Sequence, residues 1–114
     1  MGGDDLRALA LALPETREQL TWDVHPTFRV GAKIFAILSE DGASVRLKAT
    51  REAQAALVGS EPETFFVPAY VGRHGWVGVQ LGSVDPQELR ELVEDAWRLT
   101  APKRVVARFD AAGR

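Results

Sequence analysis

The sequence predicts an α+β domain: an antiparallel sheet of about four to six strands, with helices from both ends of the chain packed on one face. Three observations predict it. Strand-type alternation is concentrated between residues 27 and 48 and returns at 76–81. Apolar residues at helical spacing mark the two ends. A chain of 114 residues can bury one hydrophobic core but not two.

Leu6, Leu9, Ala10 and Leu13 recur at i, i+3, i+4, i+7, so a helix is expected from about Asp5 to Leu13, capped by Asp4 or Asp5 and stopped by Pro14. Thr27–Val30 alternates, with Phe28 and Val30 on one side and Arg29 on the other. After Gly31-Ala32, the run from Lys33 to Leu38 is apolar on both faces, as in a central strand. Glu40-Asp41-Gly42 signals a turn into Ser44–Lys48, where Val45 and Leu47 point in and Arg46 and Lys48 point out. Thr50 caps a short helix that Gly59 ends. Residues 59–75 read as loop, anchored by Phe65, Phe66 and Tyr70. Trp76–Leu81 is the last strand expected. Asp85-Pro86 opens a helix running to about Thr100, with Leu89, Leu92, Val93, Ala96 and Trp97 as its stripe. The tail from 103 to 114 has no clear period.

Several functions are disfavoured. There is no cysteine, hence no disulfide, thiol nucleophile or thiolate zinc site, and a reducing cytoplasm suits the composition. The first residues lack a signal-peptide pattern, and the longest apolar run, Ala8–Leu13, is too short to span a bilayer. No nucleophile elbow, phosphate-binding glycine loop or dinucleotide fingerprint is present. The two histidines, His25 and His74, lie in different segments without ligand spacing, even with Asp23 nearby, so neither a metal nor a cofactor is expected. No residue is assigned a catalytic role.

The net charge of −2 hides a division. Residues 84–100 carry two basic and five acidic side chains, whereas residues 24–58 carry five basic and three acidic. The basic segment supports a nucleic-acid-binding surface built from Arg29, Lys33, Arg46, Lys48, Arg73 and His74. Gly72-Arg73-His74-Gly75 is a compact turn offering cations and free N–H groups. The alternative is a non-enzymatic site for a small aromatic or anionic molecule, lined by Trp22, His25, Phe35, Tyr70 and Trp76 with Arg73 and His74 as polar contacts. An ordinary wet sheet face and aromatics filling the core account for the same residues.

Trp22-x-x-x-Pro26, Phe28-Arg29-Val30-Gly31-x-Lys33-Ile34-Phe35-Ala36, Tyr70-Val71-Gly72-Arg73-His74-Gly75-Trp76-Val77 and Asp85-Pro86-x-Glu88-Leu89, in that order, resemble the MmcQ/YjbR family of small bacterial proteins. The resemblance covers roughly residues 4–101. It implies a CyaY-like, or double-wing, fold and a DNA-binding role without a defined catalytic set. The expected organisation is one domain over 1–102, followed by a basic C-terminal tail over 103–114.

Overall fold

The computed structural model describes residues 1–21 and 24–113. Four α-helices and six strands follow the order α1 (Gly3–Leu11), β1 (Thr16–Thr21), β2 (His25–Val30), β3 (Lys33–Leu38), β4 (Ser44–Leu47), α2 (Arg51–Ser60), β5 (Phe65–Phe66), β6 (Val77–Gln80), α3 (Pro86–Arg98) and α4 (Lys103–Ala112), with a 3₁₀ turn at Val71–His74 between β5 and β6. The strands form one antiparallel sheet in the order β1-β2-β3-β4-β6-β5. The α+β class with terminal helices on one sheet face is therefore as expected. No helix among the described residues is long and apolar enough to cross a membrane.

The local chemistry explains the strand ends. Gly31, at φ 63°, makes the tight β2–β3 turn. In the β3–β4 turn the Asp41 carboxylate accepts from Ser39 Oγ at 2.7 Å and from the Ala43 amide at 2.9 Å. These bonds favour the ionised form and hold the Asp41 pKa below its usual value.

Alternation divides the sheet into two faces. Phe28, Ala36, Leu47 and Val77 form one row, and Leu38, Val45, Val79 and Phe65 form the next. All eight are buried, on the side covered by α1 and α3. α1 contributes Leu6 and Ala10 to this core, and the Asp5 carboxylate caps its start by accepting from the Gly2 amide at 2.9 Å. α3 contributes Leu89, Val93, Ala96 and Trp97. Its Asp85 cap accepts from the Glu88 amide at 3.1 Å, and Pro86 stands where no intrahelical donor is needed.

Four elements depart from the sequence expectation, the slightest being β5, a two-residue strand in the stretch read as loop. β1 was not expected: Thr-Arg-Glu-Gln-Leu-Thr buries no side chain and pairs only along β2. Register shifts between Phe28 and Arg29, leaving Phe35 as an extra residue in β3. Phe35 is fully buried within the core and does not line a ligand site. Residues 103–112 are helical: α4 buries Val105 and sets Phe109 edge-on against Trp97, ring centroids 5.0 Å apart. Arg98 fastens α4 through a two-pronged contact with Asp110 at 3.1 and 2.6 Å.

Candidate functional site

The second sheet face has no helix of the α1–α3 layer over it. One row of paired residues crosses all six strands: Gln19, Thr27, Ile37, Arg46, Gly78 and Phe66. The neighbouring row places Arg17 opposite Arg29, and the other end of β2 pairs Thr21 with His25. By register, this face of β1–β4 carries no carboxylate among the described residues. Glu18 projects to the opposite side, where Arg7 Nε donates to it at 2.8 Å.

Arg29 is held along this face by neutral oxygens. Its Nε donates to Thr27 Oγ1 at 3.3 Å and its terminal nitrogens to Thr21 Oγ1 at 3.2 Å and the Ala32 carbonyl at 3.5 Å. The Thr27 hydroxyl spends its proton on the Gln19 carbonyl, at 2.7 Å, so Thr21 is the donor in the 3.0 Å contact between the two threonines. Arg17 likewise donates to Gln19 Oε1 at 2.9 Å and the Gly31 carbonyl at 3.1 Å. Arg46 Nε is buried and finds no hydrogen-bond partner among the described residues. By contrast, on the helical side Arg7, Arg98 and Arg104 all meet carboxylates.

Residues 66–76 cross part of this face. The Phe66 ring lies on Gly78, so closely that a β-carbon there would stand 2.3 Å from the ring. Gly75, at φ 92°, abuts the first turn of α2, and Gln54 Nε2 donates to the carbonyls of Gly72 at 2.8 Å and Trp76 at 2.6 Å. Between these anchors Tyr70 adopts φ 64° and ψ −66°, and the Val71 amide donates to the Ala69 carbonyl at 2.7 Å. This is a γ-turn with positive φ at a non-glycine residue, a strained conformation. Between the descending chain and the sheet lies a half-open cavity of about 430 Å³ lined by His25, Ile37, Arg46, Ala69, Tyr70 and Val71.

The expected site residues are thus divided. Arg29 and Arg46 share the open face, and His25 and Tyr70 meet Arg46 at the cavity. Lys33 sits exposed at the β2–β3 turn, paired with the inward-facing Val30. Lys48 lines a different cavity, of about 310 Å³, with Leu92, Asp95 and Arg98 of α3 and its C-cap Leu99. There partial desolvation of the otherwise exposed Asp95, with Glu94 adding and Arg98 opposing, raises its pKa. Arg73 and His74 are exposed on the 3₁₀ turn, where Arg73 Nε contacts His74 Nε2 at 3.3 Å. Neither they nor the half-buried Trp76 line the cavity beside Arg46. Trp22 and Asp23 lie outside the described residues. The sequence reading missed Arg17, which lies in a strand whose one apolar residue is Leu20, and Ile37, Ala69 and Val71. No group of three or more metal-ligating side chains occurs among the described residues.

Known proteins share this architecture. Uncharacterised proteins of Mycobacterium tuberculosis and Mycobacterium bovis are 28% identical to this chain, over 93% of it and 93% of each relative. The crystal structure of a Deinococcus radiodurans protein with a DUF419 domain superposes with a TM-score of 0.76 at 26% identity, over 84% of this chain and 75% of that one. The YjbR family model matches residues 11–99, a span that takes in all six strands, α2 and α3, and the chain belongs to the YjbR family.

Proposed function

We propose that the protein is a non-enzymatic DNA-binding module that lays the phosphate backbone across its open sheet face. One observation carries this reading: Arg17, Arg29 and Arg46 stand on that face with neutral partners or none among the described residues, while Arg7 and Arg98 are neutralised by carboxylates on the helical side. A guanidinium already paired with a carboxylate has little left to offer a phosphate; these three keep their charge available. Segregation of acids to the opposite side lets a chain of net charge −2 present a positive face. The distance from β1 to β4 is three strand spacings, about 14 Å, which spans about four nucleotides of a stacked strand.

Fluorescence anisotropy of end-labelled single- and double-stranded DNA, titrated between about 25 and about 200 mM salt, tests the proposal. Three phosphate contacts give a slope of log K against log salt near about −2 for single strands and about −3 for duplex. Replacing Arg17 and Arg29 by alanine removes about two of those contacts and flattens the slope accordingly. Absence of binding at the lowest salt, or a slope unchanged in the double variant, overturns it.

A further inference from the structure

We propose that the cavity between the sheet and residues 69–71 is a separate site for a small, flat aromatic carboxylate, bound by Arg46 and covered by Tyr70. The inference does not rest on DNA binding: Arg46 serves both readings, but Arg17 and Arg29 lie outside the cavity lining.

Four features point to this ligand class. The volume, about 430 Å³, falls within the range of small-molecule sites. Ile37, Ala69 and Val71 supply apolar walls for a hydrocarbon body. Arg46 supplies the charge. Its Nε is withdrawn from water and unbonded among the described residues, a costly condition that an arriving carboxylate relieves by accepting from the guanidinium fork. Among the described residues of the lining, one permanent cation matches a monoanion; a phosphate dianion calls for a second, and Arg73 and Lys48 are elsewhere.

The fourth feature is Tyr70. Its backbone is strained at φ 64°, yet its side chain is 91% exposed. Burial of the ring therefore does not compensate the strain in the unliganded chain. What the strained turn achieves is to set Tyr70 in the cavity lining with its ring exposed and free to fold over a ligand. A flat ligand seated on Ile37 would present its outer face to that ring, and the two would stack.

The test uses the full chain and three probes: benzoate, 2-naphthoate and the neutral 2-naphthamide. Calorimetry and amide chemical-shift mapping measure binding. Expected is saturable binding of 2-naphthoate with Kd at or below about 1 mM, weaker binding of benzoate, and at least about tenfold weaker binding of the amide. Shifts should centre on residues 37, 46 and 69–71. Arg46→Met keeps the apolar stem and should lose about tenfold or more in naphthoate affinity, with the amide little affected. Tyr70→Ala, at an exposed ring, should leave the fold intact and weaken both bicyclic probes; it decides the matter should the Arg46 variant misfold. Arg17→Ala should leave naphthoate affinity unchanged, since Arg17 is outside the cavity lining, while weakening DNA binding. The proposal is overturned if naphthoate does not saturate by about 5 mM. It is equally overturned if acid and amide bind alike, or if Tyr70→Ala binds as the parent does. Loss of DNA binding in the Arg17 and Arg29 double variant with naphthoate binding retained, or loss of naphthoate binding in Tyr70→Ala with DNA binding retained, separates the two proposals.

Discussion

Gly78→Ala should destabilise the fold by about 1–2 kcal/mol through a single neighbour, the Phe66 ring. The ideal β-carbon at residue 78 stands 2.3 Å from Cε2 and from Cζ of Phe66 and 2.6 Å from Cδ2. Ordinary carbon–carbon contact lies at about 3.5–4.0 Å, so the ring must retreat by more than about 1 Å. Such overpacking costs about 1–3 kcal/mol, and removing a glycine from a strand returns about 0.5–1 kcal/mol. Deleting the ring reverses the sign. In a Phe66→Ala background the same Gly78→Ala change should stabilise by about 0.5 kcal/mol. The double-mutant cycle therefore carries a coupling energy of about 1.5–2.5 kcal/mol. Urea unfolding of the four proteins, followed by tryptophan fluorescence, measures it. Equal effects of Gly78→Ala in the two backgrounds would refute the reasoning, and so would a neutral effect in the parent. The ring also fixes where the chain leaves β5, so the single variant should weaken any ligand held by residues 69–71.

Further outcomes are expected. Tyr70→Ala should be nearly neutral in stability because the ring is 91% exposed, whereas Tyr70→Gly should be more stable than Tyr70→Ala by about 1 kcal/mol, since only glycine takes the positive φ without strain. Equal denaturation midpoints for the two variants would remove the strain from the account. Trp97→Phe loses both ring volume and the 3.1 Å bond from Trp97 Nε1 to the Pro14 carbonyl, and should cost about 2–3 kcal/mol in chemical denaturation. Asp95 has a folded pKa raised above its unfolded value, so its charge opposes folding at neutral pH and the penalty disappears as pH falls below both values. Asp95→Asn should therefore raise the melting temperature at pH 7 and leave it unchanged near pH 3; an equal shift at both would contradict the assignment. Asp41 is the opposite case: its lowered folded pKa contributes stability above the unfolded value that is lost as pH falls through the folded one, so the stability difference between parent and Asp41→Asn should narrow in acid.

The strands with an apolar inner face were legible because burial writes alternation into the sequence; β2, β4 and β6 all show it. β1 was not legible for the same reason. It is an edge strand whose inward-facing Glu18 and Leu20 remain exposed, so nothing selected an apolar rhythm. Phe35 shows where alternation misleads, because an extra residue in β3 turns a side chain expected at a ligand site into the core. Helix α4 escaped notice because its apolar positions are few: Val105, Val106 and Phe109 in a ten-residue segment opened by a proline. At the candidate site, Arg46 could be read as outward-facing from Val45 and Leu47. Its apolar neighbours Ala69 and Val71 could not, because a positive φ at a tyrosine leaves no compositional signature.

Phe109 against Trp97, and Leu6 and Ala10 beneath α1, have a consequence for how far the protein extends as a physical object. The matched family segment begins at residue 11 and stops at 99, so it omits Leu6, Ala10, Val105 and Phe109. A fragment trimmed to that segment would open the core on two sides and strip the edge contact from its largest buried ring. The segment that the family model matches is thus smaller than the set of residues that share one core.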